Sequence, residues 1–293
     1  MKKVTKRKPV SPKRKPTPKK KKSSLVNKVV TITVTVLVII VTIGLLYQFR
    51  NGLAYYLGFK SDKVSKENTD EAAAKKIADV RIYEVLNRHE DKVFGFDVSH
   101  YQGDIKWEKI NTVENTFPMR FVFIRATAGK DGVDKKFKEN WVGAKKNKLI
   151  RGAYHYYRAD ENSLEQAQNF IKNVKLKKGD LPPVLDIERI SSVQSMERLK
   201  VGLKKWLDVV EEHYGVKPII YSGEHYYKEF IDEEFSEYTN WIANYNFFVE
   251  EIRDEWLFWQ FTEKARVEGI KGNVDLNIFN GTPTQLNYIT IGN

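Results

Sequence analysis

The chain has 293 residues, of which 41% are hydrophobic and 13% aromatic, enough apolar material for one large core or two smaller ones. It has no cysteine, which excludes disulfides and thiolate metal sites. The net charge of +12 is local: residues 1–28 hold thirteen of the 50 Lys/Arg and no Asp/Glu, leaving 37 basic against 38 acidic residues beyond them. The body of the chain therefore lacks the basic excess that nucleic-acid binding needs, and no nucleic-acid partner is expected.

Residues 1–28 are basic, punctuated by proline and poor in apolar side chains. Such a segment cannot bury enough surface to fold and is expected to be a disordered tail. Its rival reading is a nucleic-acid-binding arm, and the next segment argues against that. Val29 to Tyr47 is apolar apart from threonines and uncharged. At 1.5 Å per residue it spans roughly 28 Å, close to the hydrocarbon thickness of a bilayer. No Ala-x-Ala cleavage site follows it. A transmembrane helix is predicted over 29–48, with the lipid bilayer as its partner. The basic flank then places the N-terminus in the cytoplasm and everything after Arg50 outside, as a single-pass protein of the cell membrane.

Residues 49–92 read as a partly helical stalk, with Thr69-Asp70 capping a helix from about Glu71 to Arg88. Tail or stalk would be the contact for other envelope proteins. Packing of this segment on the next domain is the alternative. From Val93 on, strands and helices alternate. Strands are predicted at Val93–Val98, Arg120–Thr127, Ile150–Tyr157 and around Val184–Glu188. Later ones fall at Lys217–Ser222, Asn240–Tyr245, Trp256–Phe261 and Val274–Phe279. Helices are predicted over Asp134–Lys148, after a Ser163 cap, and over Met196–Tyr214, which Gly215 stops. Alternating βα units imply a mainly parallel sheet, and this many imply a closed or nearly closed barrel. Residues 283–293 are left as a C-terminal tail.

The chemistry is carried by Pro182-Pro183-Val184-Leu185-Asp186-Ile187-Glu188. A strand alternates its faces, so Asp186 and Glu188 share one side while Leu185 and Ile187 serve a core on the other. Two carboxyl groups side by side, partly desolvated, raise each other's pKa. A carboxylic acid that keeps its proton near neutral pH can protonate a leaving oxygen, which is the chemistry of glycoside cleavage. A D-x-E triplet alone is common on solvated surfaces, so the rest of the chain must support it. Active sites of βα barrels lie at the C-terminal strand ends. Asp97 ends the first strand and Asp275 lies in the last, and these are neighbours in a closed barrel. Aromatic residues gather at similar positions: Tyr154, Tyr156 and Tyr157, then Trp241, Tyr245, Trp259 and Phe261. Core packing is the default for each, but Tyr245 and Trp259, next to Asn244 and Gln260, are favoured as sugar-stacking residues. His100 and His155 lack a metal-ligand spacing and read as structural. There is no phosphate loop and no G-x-S-x-G elbow, and no metal or cofactor is expected.

Seven motifs occur in a recognisable order. They are Gly95-Phe96-Asp97-Val98-Ser99-His100-Tyr101-Gln102-Gly103, Arg125-Ala126-Thr127, Gly152-Ala153-Tyr154-His155, Asp186-Ile187-Glu188, Trp241-Ile242-Ala243-Asn244-Tyr245, Trp259-Gln260-Phe261 and Val274-Asp275-Leu276-Asn277. This order resembles the glycoside hydrolase family 25 lysozymes, the Chalaropsis-type N-acetylmuramidases, over about residues 93–282. The resemblance implies an irregular TIM-like βα barrel of the α/β class. It also implies cleavage of the β-1,4 bond from N-acetylmuramic acid to N-acetylglucosamine in peptidoglycan glycan strands. Carried over by position, Glu188 would be the general acid and Asp186 its partner, either positioning the substrate acetamido group or stabilising positive charge. Asp97 and Asp275 would orient substrate and hold charge. Tyr154, Tyr156, Tyr245 and Trp259 would bind substrate. Ala128 departs from the pattern, since many members carry Glu there. With the membrane anchor, the expected role is local cell-wall remodelling. The rival roles are a catalytically inactive scaffold that binds wall glycan, and a hydrolase for another acetylated glycan.

Overall fold

The computed structural model describes residues 25–50 and 68–293. Most of the basic tail (1–24) and the linker residues 51–67 lie outside the described residues. The chain divides into two units, residues 1–53 and 54–293. In the first, helix α1 (Leu25–Gln48) exposes its valines, leucines and isoleucines from Val29 onward all round. It is long and apolar enough to cross a membrane. Its threonines turn inward on the helix itself: Thr31, Thr33, Thr35 and Thr42 each donate a hydroxyl to the carbonyl four residues earlier, at 2.8–3.0 Å. A polar group satisfied this way does not need water.

Among the described residues the first element of the second unit is α2 (Asn68–Arg88), and this helix is no free stalk. Ala78, Ile82, Val85 and Leu86 are buried against the barrel that follows. Arg81 is buried too and donates to the carbonyls of Phe261 (2.9 Å), Asn246 (3.0 Å) and Val249 (3.1 Å). Of the segment 49–92, residues 68–92 are thus part of the folded domain. The mixed charged and alanine-rich pattern concealed this, because only one narrow apolar stripe makes the contact.

Ten strands follow: β1 (Val93–Val98), β2 (Thr112–Val113), β3 (Phe117–Ala128), β4 (Gly132–Val133), β5 (Ile150–Tyr156), β6 (Val184–Asp186), β7 (Ile219–Gly223), β8 (Asn240–Ala243), β9 (Phe258–Ala265) and β10 (Val274–Phe279). The order β1-β10-β9-β8-β7-β6-β5-β3 closes through the β1–β3 pairing into a mixed α/β barrel. Every pairing around this ring is parallel except the two made by β10, which runs antiparallel to both β1 and β9. No helix of crossover length separates β9 from β10, so only an antiparallel return is available.

Helices α3 (Phe137–Lys146), α4 (Ser163–Asn173) and α5 (Met196–Tyr214) cover the outside. The cap of α4 is Asn162, which accepts from Leu164 N (2.9 Å) and Glu165 N (3.1 Å). Ser163, expected in that role, instead bonds the Tyr157 hydroxyl at 2.6 Å. Helix α5 buries Leu199, Leu203, Trp206, Leu207 and Val210, one face at helical spacing, and ends at Gly215 with φ +69°, as its glycine suggests. The core has two layers. Phe96, Val122, Ile124, Leu185, Ile187, Trp259 and Phe261 face the helices, whereas Phe121, Phe123, Val184, Trp241 and Phe258 fill the barrel. Residues 283–293 are not loose: a short helix (Pro283–Tyr288) inserts Leu286 into the barrel-filling cluster.

Candidate active site

The barrel mouth holds a cleft of about 610 Å³. Strand pairing brings its carboxyl groups together. Asp97, next to last in β1, is the register partner of Asp275, second in β10. Because β10 is antiparallel, a residue near its start reaches the same mouth as one near the end of β1. Asp186, the last residue of β6, pairs between Tyr156 and Tyr221. Beyond it the backbone stays pinned, with Ile187 N donating to Tyr221 O (3.0 Å) and Ser222 Oγ donating to Ile187 O (2.6 Å). Leu185 and Ile187 enter the outer core, so Asp186 and Glu188 both reach the cleft.

Asp97 is buried at the centre of a polar network. Its Oδ2 accepts from Gln260 Nε2 (2.7 Å) and Asn277 Nδ2 (2.8 Å). Trp241 Nε1, a donor only, bonds Asn277 Oδ1 at 2.7 Å, and this forces the amide to turn its NH₂ toward Asp97. Gln260 Oε1 accepts from the hydroxyls of Tyr221 (2.7 Å) and Tyr245. Burial outweighs these donors and pushes the Asp97 carboxyl up to about 6. Asp275 is pushed up to about 9 by burial and by the negative charges of Asp97 and Glu263. Asp275 therefore keeps its proton at neutral pH and is hydrogen-bonded to Asp97.

Asp186 is 5% exposed, and its Oδ1 has no hydrogen-bond partner. Burial raises its pKa, the charges of Glu188 and Asp97 add to the effect, and Arg125 opposes it. Glu188 stands further out in the cleft; its pKa is also raised by desolvation, against a smaller opposing effect of Arg189. The cleft thus presents Asp186, with one buried oxygen unpartnered, beside a more accessible carboxyl, Glu188, both biased toward the protonated form.

Tyr154, Tyr156 and Tyr245 line the cleft. Trp259 does not. It is 0% exposed in the outer core, donates Nε1 to Asn244 O (3.0 Å) and packs on His89 at 5.9 Å. Adjacency to Gln260 made it attractive in the sequence, but strand alternation means that an inward Gln260 turns Trp259 outward. Phe261 faces outward for the same reason, while Trp241 lies inside. His155 is structural, buried between Thr127 Oγ1 (2.7 Å) and Gln166 Oε1 (3.1 Å), and burial depresses its pKa to about 4.

Sequence reasoning missed several lining groups. In the sequence Gln260 and Tyr221 are strand residues without an assigned role. Arg125 Nε, His100 N and His100 Nδ1 all converge on Asp134 Oδ2, at 3.0, 3.0 and 2.9 Å. Outside the lining, Glu224, just after β7, accepts from Asn244 Nδ2 and so anchors the loop carrying Tyr245. His100, Arg125 and Gln260 stand inside the quoted motifs, but the role of each has no local signal, because it depends on partners far along the chain. No group of three or more His, Asp or Glu among the described residues is arranged to hold a metal ion.

The model of the glycosyl hydrolases family 25 matches residues 96–270, a stretch that contains three of the cleft's four central carboxyl groups and ends just before Asp275. The chain belongs to this family. Among proteins similar to it is YegX of Escherichia coli K12, 38% identical over 205 residues, covering 68% of this chain and 74% of that one. Lysozyme M1 of Streptomyces globisporus is 30% identical over 209 residues, covering 66% and 70%. A solved family 25 glycosyl hydrolase from Bacillus anthracis superposes with a TM-score of 0.61 at 32% identity, covering 68% of this chain and 94% of that one.

Within this family 25 chain, Ala128 ends β3 at the cleft wall, where its carbonyl crowds Gly132 so closely that a Cβ there would lie 2.4 Å away. The β3–β4 hairpin is therefore tight. Its turn is held by Glu161 Oε2, which accepts from Lys130 N at 2.7 Å.

Proposed function

We propose that this chain is a membrane-anchored muramidase that cuts the β-1,4 bond between N-acetylmuramic acid and N-acetylglucosamine in peptidoglycan. The observation that carries the reading is the Asp186–Glu188 pair, two carboxyl groups of raised pKa in an open cleft of a family 25 barrel. The name of the lysozyme relative agrees with it.

Glu188 is the accessible acid and donates its proton to the glycosidic oxygen as the bond breaks. Asp186, with an oxygen unclaimed by the protein, positions the acetamido group of the substrate. Asp97 supplies negative charge facing the positive charge that develops on the sugar, and the Gln260 and Asn277 amides fix its direction. Asp275, protonated, holds Asp97 from the other side. Tyr154, Tyr156 and Tyr245 line the path of the glycan. Helix α1 spans the bilayer with the basic tail in the cytoplasm and the barrel outside. The tether suits local wall remodelling better than release of a diffusing lytic enzyme, and the tail and linker are where envelope proteins would attach.

The test uses the full chain in detergent, wild type and Glu188→Gln, incubated with purified peptidoglycan. Products are reduced with borohydride and weighed by mass spectrometry. Reducing-end muramic acid from wild type alone supports the reading. Reducing-end glucosamine moves the cut to the other bond. No product with tight sedimentation onto the wall replaces hydrolysis by a binding scaffold. A reporter after Asn293 that is active in the cytoplasm overturns the topology.

A further inference from the structure

The most exposed aromatic side chain of the barrel mouth is Tyr101, 77% accessible and part of the cleft wall. An exposed tyrosine on a mobile loop would mean little, but this one is held. It lies in a short 3₁₀ turn (His100–Gln102) whose N-terminal end is closed by a reciprocal cap. Ser99 Oγ accepts from Tyr101 N (3.2 Å), and Gln102 Oε1 accepts from Ser99 N (2.9 Å). The Arg125 guanidinium sits 5.0 Å from the centre of the Tyr101 ring, and the His100 ring lies 4.3 Å away, tilted by 33°. Arg125 and His100 are themselves fixed on buried Asp134.

The turn and its supports orient the ring without burying it. A ring left three-quarters exposed cannot have both faces covered, so one face stays open to solvent beside the cleft. Val133, from the β4 side, adds a second partly exposed apolar group to the same cleft lining. Leaving this surface in water has no stabilising effect on the fold. It suits a ligand that presents an apolar face on an otherwise hydroxylated body. Pyranose rings do so, since their axial C–H bonds form a flat apolar patch that settles on the electron-rich face of an aromatic ring.

We infer that Tyr101 is a sugar-stacking platform that holds a pyranose ring of the glycan strand outside the ring whose bond is cut, with Arg125 and His100 as its supports. The inference rests on the muramidase reading for the identity of the glycan, but the binding role is separable from cleavage. Tyr101 is a binding residue. It does not act on the reacting atoms.

The experiment uses the full chain in detergent on a Glu188→Gln background, so that no cleavage occurs, titrated calorimetrically with soluble uncross-linked peptidoglycan strands. Tyr101→Ala is expected to weaken binding about three- to tenfold, the usual worth of one aromatic contact. Tyr101→Phe and Tyr101→Trp are expected to bind within about twofold of the parent, because the ring face and not the hydroxyl is used. All three should melt at the parent temperature, since the ring buries little. In the protein that retains Glu188 and cleaves, Tyr101→Ala should raise KM and leave kcat unchanged. Unaltered binding by Tyr101→Ala, equal loss in Tyr101→Phe, or no binding by the parent overturns the inference. Ring-dependent binding without any cleavage by the wild type sustains it while removing the muramidase reading.

Discussion

Asp97 and Asp275 face each other across the antiparallel β1–β10 pair and share a hydrogen bond, with one carboxyl pushed up to about 6 and the other to about 9. Near neutral pH the pair therefore holds a proton, with Asp275 as donor and Asp97 as acceptor. An amide at 275 would keep the donor, whereas an amide at 97 would remove the charge. Asp275→Asn should lose less than about tenfold in kcat/KM, and Asp97→Asn about a hundredfold or more, on the scale of removing one electrostatic group from a site. Equal losses in both would mean that the ionised form of Asp275 is the working one.

The same pair has a signature in stability. A carboxyl whose folded pKa lies above its unfolded value binds more protons in the native state between those two pH values, so stability falls as pH rises through that window. For Asp275 the window runs from the ordinary carboxylate range to about 9. Asp275→Asn should therefore melt progressively higher than wild type as pH increases from 5 to 9. A difference in melting temperature that stays constant with pH would contradict a raised Asp275.

Glu188 should set the alkaline limb of the activity profile, because hydrolysis needs its proton. Glu188→Gln should lose at least about a hundredfold in turnover, and near-normal turnover would remove it from the acid role. Arg189 opposes the rise in the Glu188 pKa. Arg189→Ala should move the alkaline limb to higher pH, more visibly at low salt, since screening weakens an exposed charge.

Asp186→Asn should cripple activity and leave the fold intact. The group is desolvated, biased toward its neutral form, and its Oδ1 has no partner in the protein, so an amide of the same shape replaces it without breaking a hydrogen bond of that oxygen. Wild-type or higher melting temperature with activity down about a hundredfold is the expected pairing. An unfolded variant would instead make Asp186 a structural residue.

Trp259 and Tyr245 should separate cleanly. Trp259→Ala empties a buried site in the outer core and should cost about 3–5 kcal/mol of stability. Tyr245→Phe removes one hydroxyl from Gln260, the amide that holds Asp97. It should leave stability within about 1 kcal/mol and shift the pH profile. A Trp259→Ala protein of normal stability with a raised KM would return that residue to the cleft.

Much of this was legible locally. The bounds of β1, β10 and α5 follow from composition and from Gly215. The shared facing of Asp186 and Glu188 follows from alternation, with Leu185 and Ile187 on the other side. In β9 the same rule was mute. Phe258, Trp259 and Phe261 are apolar on both faces, because one face lines the barrel and the other meets the helices, so no pattern shows which way Gln260 points. The four central carboxyl groups of the cleft could be gathered from the motifs, but their protonation order could not, since it depends on burial and on amides 163 and 180 positions from Asp97.

By itself the sequence determined the local matters: an apolar run long enough for a bilayer, an alternating series of strands and helices, and an acid pair on one strand face. These depend on residues within a turn or two of one another. The tertiary structure alone decided that α2 packs on the barrel and that β10 runs antiparallel, so that Asp275 meets Asp97. It also decided that Trp259 faces the core, and that Tyr101 stands exposed on Arg125. Each of these is a contact between distant segments, set by which neighbours a strand or helix acquires when the barrel closes, and no periodicity within one segment encodes that choice.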